Sequence, residues 1–380
     1  MQRVANYIYQ LNEWPHFRWD TAVIAPLLAE LRVKQAWLLG RMWSLGFALQ
    51  EEANLQTVTL DIVKSSEIEG EILDTAQVRS SVARRLGLEA GGIAPADRHV
   101  EGIVDMMLDA TTHYGQPLTS ERLFNWHAAL FPTGRSGITP IVTGHWRNNP
   151  PQQPMQVISG MMGREKVHFQ APDAALVPDE MFGFLQWFDD SNDMDMLLKA
   201  AIAHLWFVTI HPFDDGNGRI ARAITDLQLA RSDGSGLRFY SMSAQIRKER
   251  NRYYHTLETT QKGSIDITAW LEWFLQCLGR AMDASKDELS MVMQKAAFWK
   301  KHMGLSLNTR QQTMLNKILD GYQGHITSSN WAKITGSSTD TAVRDINDLV
   351  AKGILMKGSE GGRSTRYLMV EETSSAASHY

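Results

Sequence analysis

The chain has 380 residues, a length that suits two or three domains, and its 43% apolar and 21% charged residues permit a sizeable buried core. Its formal net charge of -4 excludes bulk attraction to nucleic acid or an anionic membrane, so nucleic-acid contact would need a local patch. The single cysteine, Cys277, excludes an internal disulfide framework. Residues 1–20 lack a secretory apolar region and no apolar run is long enough to span a bilayer, so a cytoplasmic location is expected.

From the N-terminus, Leu27, Leu28, Leu31, Leu38, Met42, Leu45 and Leu49 recur at helical spacing and predict a long helix from Thr21. With Trp37 and Trp43 its surface suits either core or a homodimer seam. A second helical stretch is expected over 59–85 with a break near Glu69-Gly70, then a glycine-rich linker over 87–95 and a helix over 97–113. Ser120 is the expected N-cap of a helix over 121–131. Glycine and proline recur through 132–154, which reads as loop, and the alternating segments 155–158 and 166–169 read as a β-hairpin. Helices are expected over 177–189, 196–210, from 220 onward, 245–261 and 268–301. Beyond Gly304 the order is helix 309–319, helix 329–334, helix 339–351 and strands 353–356 and 364–369 about the glycines of 358–362. That is the order of a winged helix-turn-helix.

Chemistry concentrates in His211-Pro212-Phe213-Asp214-Asp215-Gly216-Asn217-Gly218-Arg219-Ile220-Ala221-Arg222, between the apolar stretch 196–210 and the helix that follows. Gly216 and Gly218 permit a loop whose N–H groups converge on an anion, and the following helix N-terminus favours negative charge. Arg219 and Arg222 can grip phosphate oxygens, Asp215 is a hard oxygen ligand for Mg²⁺, and His211 can take a proton near neutral pH. The plainer alternative, a helical corner with a capping Asn217 and solvated arginines, requires many separate coincidences.

This run resembles the signature of the Fic family, His-x-Phe-x-Asp/Glu-Gly-Asn-Gly-Arg-x-x-Arg, at every fixed position. The resemblance implies a mainly α fold, a helical Fic core with a β-hairpin flap, to which the sequence adds the C-terminal winged helix. It also implies a protein adenylyltransferase that moves AMP from ATP, with Mg²⁺, to a Ser, Thr or Tyr hydroxyl. His211 would be the base, Asp215 the metal ligand, and Gly216, Asn217, Gly218, Arg219 and Arg222 the nucleotide cradle. Phe213 is assigned to anchoring the loop. The expected domains are an N-terminal helical region over 1–113, a catalytic domain over 114–300 and a winged helix over 305–370.

Ser65-Ser66-Glu67-Ile68-Glu69-Gly70 resembles the family's inhibitory motif, Ser/Thr-x-x-x-Glu-Gly/Asn, which implies that Glu69 pairs with Arg222, so that the nucleotide binds wrongly or with its reacting phosphorus misaligned. Read without the family, Glu67, Glu69 and Glu71 form a solvated helix end with Gly70 as cap. The hairpin over 155–172 is similar to the family's flap and implies a target protein that presents its hydroxyl in an extended segment. Arg147, in Gly144-His145-Trp146-Arg147, is read as supporting. Tyr253 and Tyr254 lie in a segment that looks like the family's base-lining one, although tyrosines at this spacing also suit core. Removal of AMP, transfer of another nucleotide, and a nucleotide-sensing DNA-binding regulator stand as alternatives, with intact His211 and Asp215 weighing against the regulator. Residues 305–370 hold eight basic and five acidic side chains, which suits a DNA or a protein partner. Asp340, Asp345 and Asp348 on the third helix weigh against DNA.

Overall fold

A computed structural model describes residues 6–88, 96–160, 166–190, 194–319, 322, 324–358 and 365–370, with the backbone alone described at 287–293 and 296. The turn of the expected flap, most of the linker over 87–95, and the wing loop with Glu360 and Arg363 lie outside the described residues, as does Asp320. The chain divides into Met1–Lys286 and Asp287–Tyr380. Both are mainly helical, the fold class expected from the sequence.

In Met1–Lys286 the entering segment is held by a short parallel bridge, Arg18 N–H donating to Ile265 O at 3.0 Å. Helix α1 (Thr21–Trp43) starts on the Asp20 side chain, which accepts from Ala22 N–H. It stops before Gly46, whose extended backbone starts α2 (Phe47–Ile68) well ahead of the expected residue 59. The apolar period hides this start because α2 also buries Gln50, Asn54, Thr57 and Asp61. Asp74 and Asp97 cap α3 (Thr75–Arg85) and α4 (Arg98–Thr112). The cap of α5 (Ser120–Leu130) is Thr119 rather than Ser120: the Thr119 hydroxyl accepts from Arg122 N–H at 3.1 Å, so Ser120 is the first helical residue. Helices α4 and α5 meet at Gly102, where a Cβ would lie 1.8 Å from Ala129 O.

The stretch expected as loop carries a small ladder, β1 (Arg135–Ser136) against β2 (Thr139–Pro140). The expected hairpin is β3 (Gln156–Ser159) against β4 (Lys166–Gln170), with an irregularity between Val157 and Ile158. Phe169 anchors it, buried edge-on against Tyr7 and Tyr9. Then come α6 (Val177–Asp189), α7 (Met196–Ile210) and α8 (Asn217–Asp233). Every residue of α7 from Leu197 to Ile210 is buried, as expected for a helix apolar on all sides that runs through the middle of a bundle. Helix α8 ends at Gly234, whose φ of 62° suits glycine. One expected helix over 245–261 is two, α9 (Met242–Lys248) and α10 (Arg250–Gln261), broken at Glu249. The long α11 (Thr268–Lys301) packs Trp270 onto α7, its indole N–H donating to Ala201 O at 2.8 Å.

In Asp287–Tyr380, α12 (Thr309–Leu319), α13 (Ser328–Thr335) and α14 (Thr339–Ala351) precede the antiparallel pair β5 (Leu355–Lys357) and β6 (Tyr367–Met369). Met314, Leu315, Trp331, Ala342, Ile346 and Leu349 form the core of this unit.

Candidate active site

The site is the loop between α7 and α8. Helix α7 ends at His211, whose φ of 53° makes it the one non-glycine residue with positive φ among the described residues. Such backbone is sparsely populated and gathers at functional sites. The conformation is fixed from several sides. His211 N–H donates to Phe207 O at 3.0 Å, and its carbonyl accepts from Arg147 Nε at 2.7 Å. Arg147 is itself buried, and burial lowers its pKa to about 10. His211 Nδ1 lies 3.3 Å from Val208 O, and because a carbonyl only accepts, Nδ1 carries the proton and Nε2 is left as an acceptor. Burial pushes the His211 pKa down to about 4, which keeps the ring neutral at pH 7.

Beyond His211 the loop is tied by side chains. Phe213 is buried and stacks on His127 with ring centroids 4.2 Å apart. Gly144 N–H donates to His127 Nδ1 at 3.0 Å, so Nε2 bears the proton and donates to Asp215 O at 3.2 Å. Asn217 holds the loop at both amide ends: Oδ1 accepts from Phe213 N–H at 3.0 Å and Nδ2 donates to Phe213 O at 2.8 Å. Its side chain therefore clamps the loop. Gly216 takes a φ of 79°, which turns the chain into α8. Asp214 accepts from Val142 N–H at 2.8 Å, whereas Asp215 accepts from the Ser136 hydroxyl and from Gly216 N–H.

The end of α2 meets this loop. Gly70 N–H donates to Glu67 O and Glu71 N–H to Ser66 O, the paired bonds of a Schellman turn, with Gly70 at φ 88°. The turn sends two carboxylates toward α8. Glu69 Oε1 accepts from Arg222 Nη2 at 2.8 Å, and Arg222 also donates to the Ser65 hydroxyl at 2.8 Å and to Ser65 O at 3.0 Å. Glu69 lies so close over Gly218 that a Cβ there would come within 2.2 Å of its Oε1. Glu71 Oε2 accepts from Arg219 Nη1 at 3.0 Å, while its other oxygen pairs with His99. Arg250 Nε donates to Ile68 O at 2.8 Å and so ties the end of α2 to α10. Beside Glu69, Glu71, Asp215 and Arg219 opens a cleft of about 500 Å³, walled by Phe131 and Ser136.

Residues 117–229 match the Fic/DOC family. Residues 7–88 match a domain of unknown function, DUF4172. The chain is 27% identical over 228 residues to the protein adenylyltransferase Fic of Drosophila yakuba, covering 58% of this chain and 40% of that protein. It is 27% identical over 222 residues to that of Drosophila ananassae, covering 57% and 39%. The chain thus spans about 40% of the length of these relatives. A solved Fic family protein from Desulfovibrio desulfuricans G20 shares the fold at a TM-score of 0.50 and 22% identity, over 91% of this chain and 97% of that one. A Fic domain containing signaling protein from Bacteroides thetaiotaomicron VPI-5482 does so at 0.51 and 19%, over 70% and 97%. Together these findings support the Fic family and a helical Fic core with small hairpins. No helix among the described residues is long and apolar enough to cross a membrane.

Not every residue expected at a Fic site lies in the open. Tyr253, expected in the base-lining segment, is instead packed in the core: it is buried, and its hydroxyl lies 2.9 Å from His204 Nε2. Tyr254 is half-buried, with Arg250 over its ring at 5.1 Å. Sequence reasoning missed His99, His127 and Ser136, which carry no local signal; each acts through a partner far along the chain. It placed Glu71 only in an acidic run.

Proposed function

We propose that the chain is a protein adenylyltransferase that moves AMP from ATP to a Ser, Thr or Tyr hydroxyl of a target protein and is held off by Glu69. The observation that carries this reading is the position of one carboxylate. Glu69, with its side chain 33% exposed, sits on the Gly218 backbone and holds Arg222, whose side chain is 2% exposed. An anionic side chain sits where a phosphate would. The donors fit that substrate, since Arg222 Nη1 and Arg219 Nε are buried without a hydrogen-bond partner. Among the described residues no group of three or more His, Cys, Asp or Glu could hold a metal alone, so Asp215 fits an ion that arrives on phosphates, which Mg²⁺ does. Bound there, Mg²⁺ would offset the charge of the phosphates and of the departing pyrophosphate.

In this reading His211 Nε2 takes the proton of the target hydroxyl while Nδ1–H stays on Val208 O. The hydroxyl oxygen bonds to the α-phosphorus as the bond to the pyrophosphate oxygen breaks, and the loop N–H groups and Arg219 steady the charge. Asn217 keeps the loop in shape for this. The β3–β4 hairpin carries the exposed apolar pair Ile158 and Val167, which suits an extended target segment laid along its edge. With Glu69 in place, Arg222 is engaged and the nucleotide cannot seat productively.

The test is transfer of α-phosphate-labelled ATP onto protein, with Mg²⁺, by wild type, Glu69→Gly, and Glu69→Gly with His211→Ala. Strong labelling by the single variant alone is expected. Silence of Glu69→Gly while it binds ATP would sink the reading. Release of label from a modified target by wild type but not by Glu69→Gly would favour AMP removal instead.

A further inference from the structure

Three aspartates on α14 count against nucleic acid when only the sequence is read, but two of them are paired within the unit, Asp345 in the interior and Asp348 at the surface. Asp345 is buried, and its carboxylate accepts from Arg310 Nε at 2.8 Å, Arg310 Nη2 at 3.0 Å and Asn308 Nδ2 at 2.8 Å. Asp348 accepts from Gln311 Nε2 at 2.7 Å and pairs with Lys352. Each charge therefore has a basic partner within the unit, which reduces its repulsion of an approaching phosphate.

The opposite face of α14 has a different character. Ala342, Ile346 and Leu349 fasten the helix to its core, which leaves Asp340, Val343, Arg344 and Asn347 exposed at helical spacing. Among the described residues Arg344 and Asn347 have no hydrogen bond or ion pair, so nothing in the unit holds them back from a ligand. A guanidinium fork matches the guanine O6/N7 edge, a carboxamide matches adenine N6/N7, and a carboxylate such as Asp340 accepts from cytosine N4. Lys333 on α13 and Lys357 at the end of β5 are exposed and suit phosphate oxygens. The helix starts on Ser338, whose hydroxyl accepts from Thr341 N–H at 3.2 Å. It follows α13 after a short turn at Gly336, whose φ is 61°, in the order in which a second helix enters the major groove.

We propose that α14 enters the major groove of double-stranded DNA, with Arg344 and Asn347 contacting base edges and Lys333 and Lys357 the backbone. The occupant is a duplex because three of the four exposed residues of this face, Asp340, Arg344 and Asn347, carry base-edge donors or acceptors, and Val343 suits a thymine methyl, whereas the centre of a protein-docking face is depleted of charge. Nothing in the transfer site enters this inference.

The experiment uses the full chain and selects from a random-sequence duplex library. Affinity for the enriched duplex and for its scrambled counterpart is then followed across salt. A sequence motif is expected. Arg344→Ala should lower affinity for the enriched duplex about 10- to 100-fold, leaving the scrambled one nearly unchanged. Lys333→Ala should weaken both and reduce the salt slope by about 1. All these side chains are exposed, and an unchanged far-UV spectrum shows that the variants fold. Failure to enrich any motif overturns the proposal. So does an Arg344→Ala, Asn347→Ala double variant that keeps wild-type preference.

Discussion

At the residue scale the turn at the end of α2 presents two carboxylates rather than one. Glu71 has its pKa held below the usual carboxylate range, chiefly by its contact with His99, and the same contact raises the pKa of His99. Burial opposes both shifts, and Arg219 and Asp215 are the other charges that face the pair. A depressed carboxylate stabilises above its unfolded pKa, and that contribution is lost as pH falls through the folded value. A raised histidine stabilises below its unfolded pKa, and that is lost as pH rises through the folded value. The contact is therefore strongest between the lowered Glu71 value and the raised His99 value, a window that includes neutral pH. In an NMR titration the His99 ring should show a midpoint above the ~6.5 of a free histidine, and Glu71→Gln should bring it down. An unmoved midpoint in that variant would remove Glu71 as the cause. Glu69 could be named from the sequence because a short motif marks it, and Arg222 because it ends the main motif. That Glu71 meets Arg219 could not, because the Schellman turn at Gly70 decides where the second carboxylate points.

At the element scale a buried polar cluster joins α2, α8 and the segment that enters α9. Asp61 on α2 accepts from the hydroxyls of Ser241 and Ser243, and Arg238 reaches Asp226 at 3.3 Å and Asp233 at 2.7 Å on α8. Tyr240 donates to Asp233 at 2.9 Å and Arg238 N–H to Asn54 at 2.8 Å. Burial raises the pKa of both Asp226 and Asp233, and Arg238 works against that rise. Arg238→Met removes the buried cation and leaves Asp226 and Asp233 without it, beside the buried Asp61, so a loss of about 3–5 kcal/mol at neutral pH is expected in denaturant unfolding. A carboxyl with a raised folded pKa stabilises at pH below its unfolded value and loses that as pH rises. The deficit of the variant should therefore shrink on acidification. A deficit that stays flat between neutral and acid pH would mean that packing, not charge, is at stake. The cluster also shows why α2 reads poorly in sequence: its inner face is polar, so apolar spacing finds only its second half. Helices whose faces divide cleanly, such as α4 and α14, were legible to within a residue or two. The two-residue strands β1 and β2 were not, since a ladder that short has no period.

At the scale of the whole molecule the two activities proposed lie in different units. Every residue placed at the candidate active site, from Ser65 to Tyr254, belongs to Met1–Lys286, whereas the α14 face belongs to Asp287–Tyr380. Each unit has a core of its own. In the first, the part of α11 up to Lys286 keeps its buried anchors Trp270, Trp273, Phe274, Leu278 and Met282. A chain ended after Lys286 and carrying Glu69→Gly is therefore expected to label protein at the rate of the full-length variant, with sequence-specific DNA affinity gone. Charge points the same way. The basic excess of residues 305–370 sits in a chain whose net charge is -4, so the remainder is acidic and offers phosphate no general attraction. Labelling by the shortened chain, beside a single sharp thermal transition, is the measurement that decides. A folded but silent Met1–Lys286 chain would mean that the second unit contributes to transfer, and the division of labour argued from residue positions would fail.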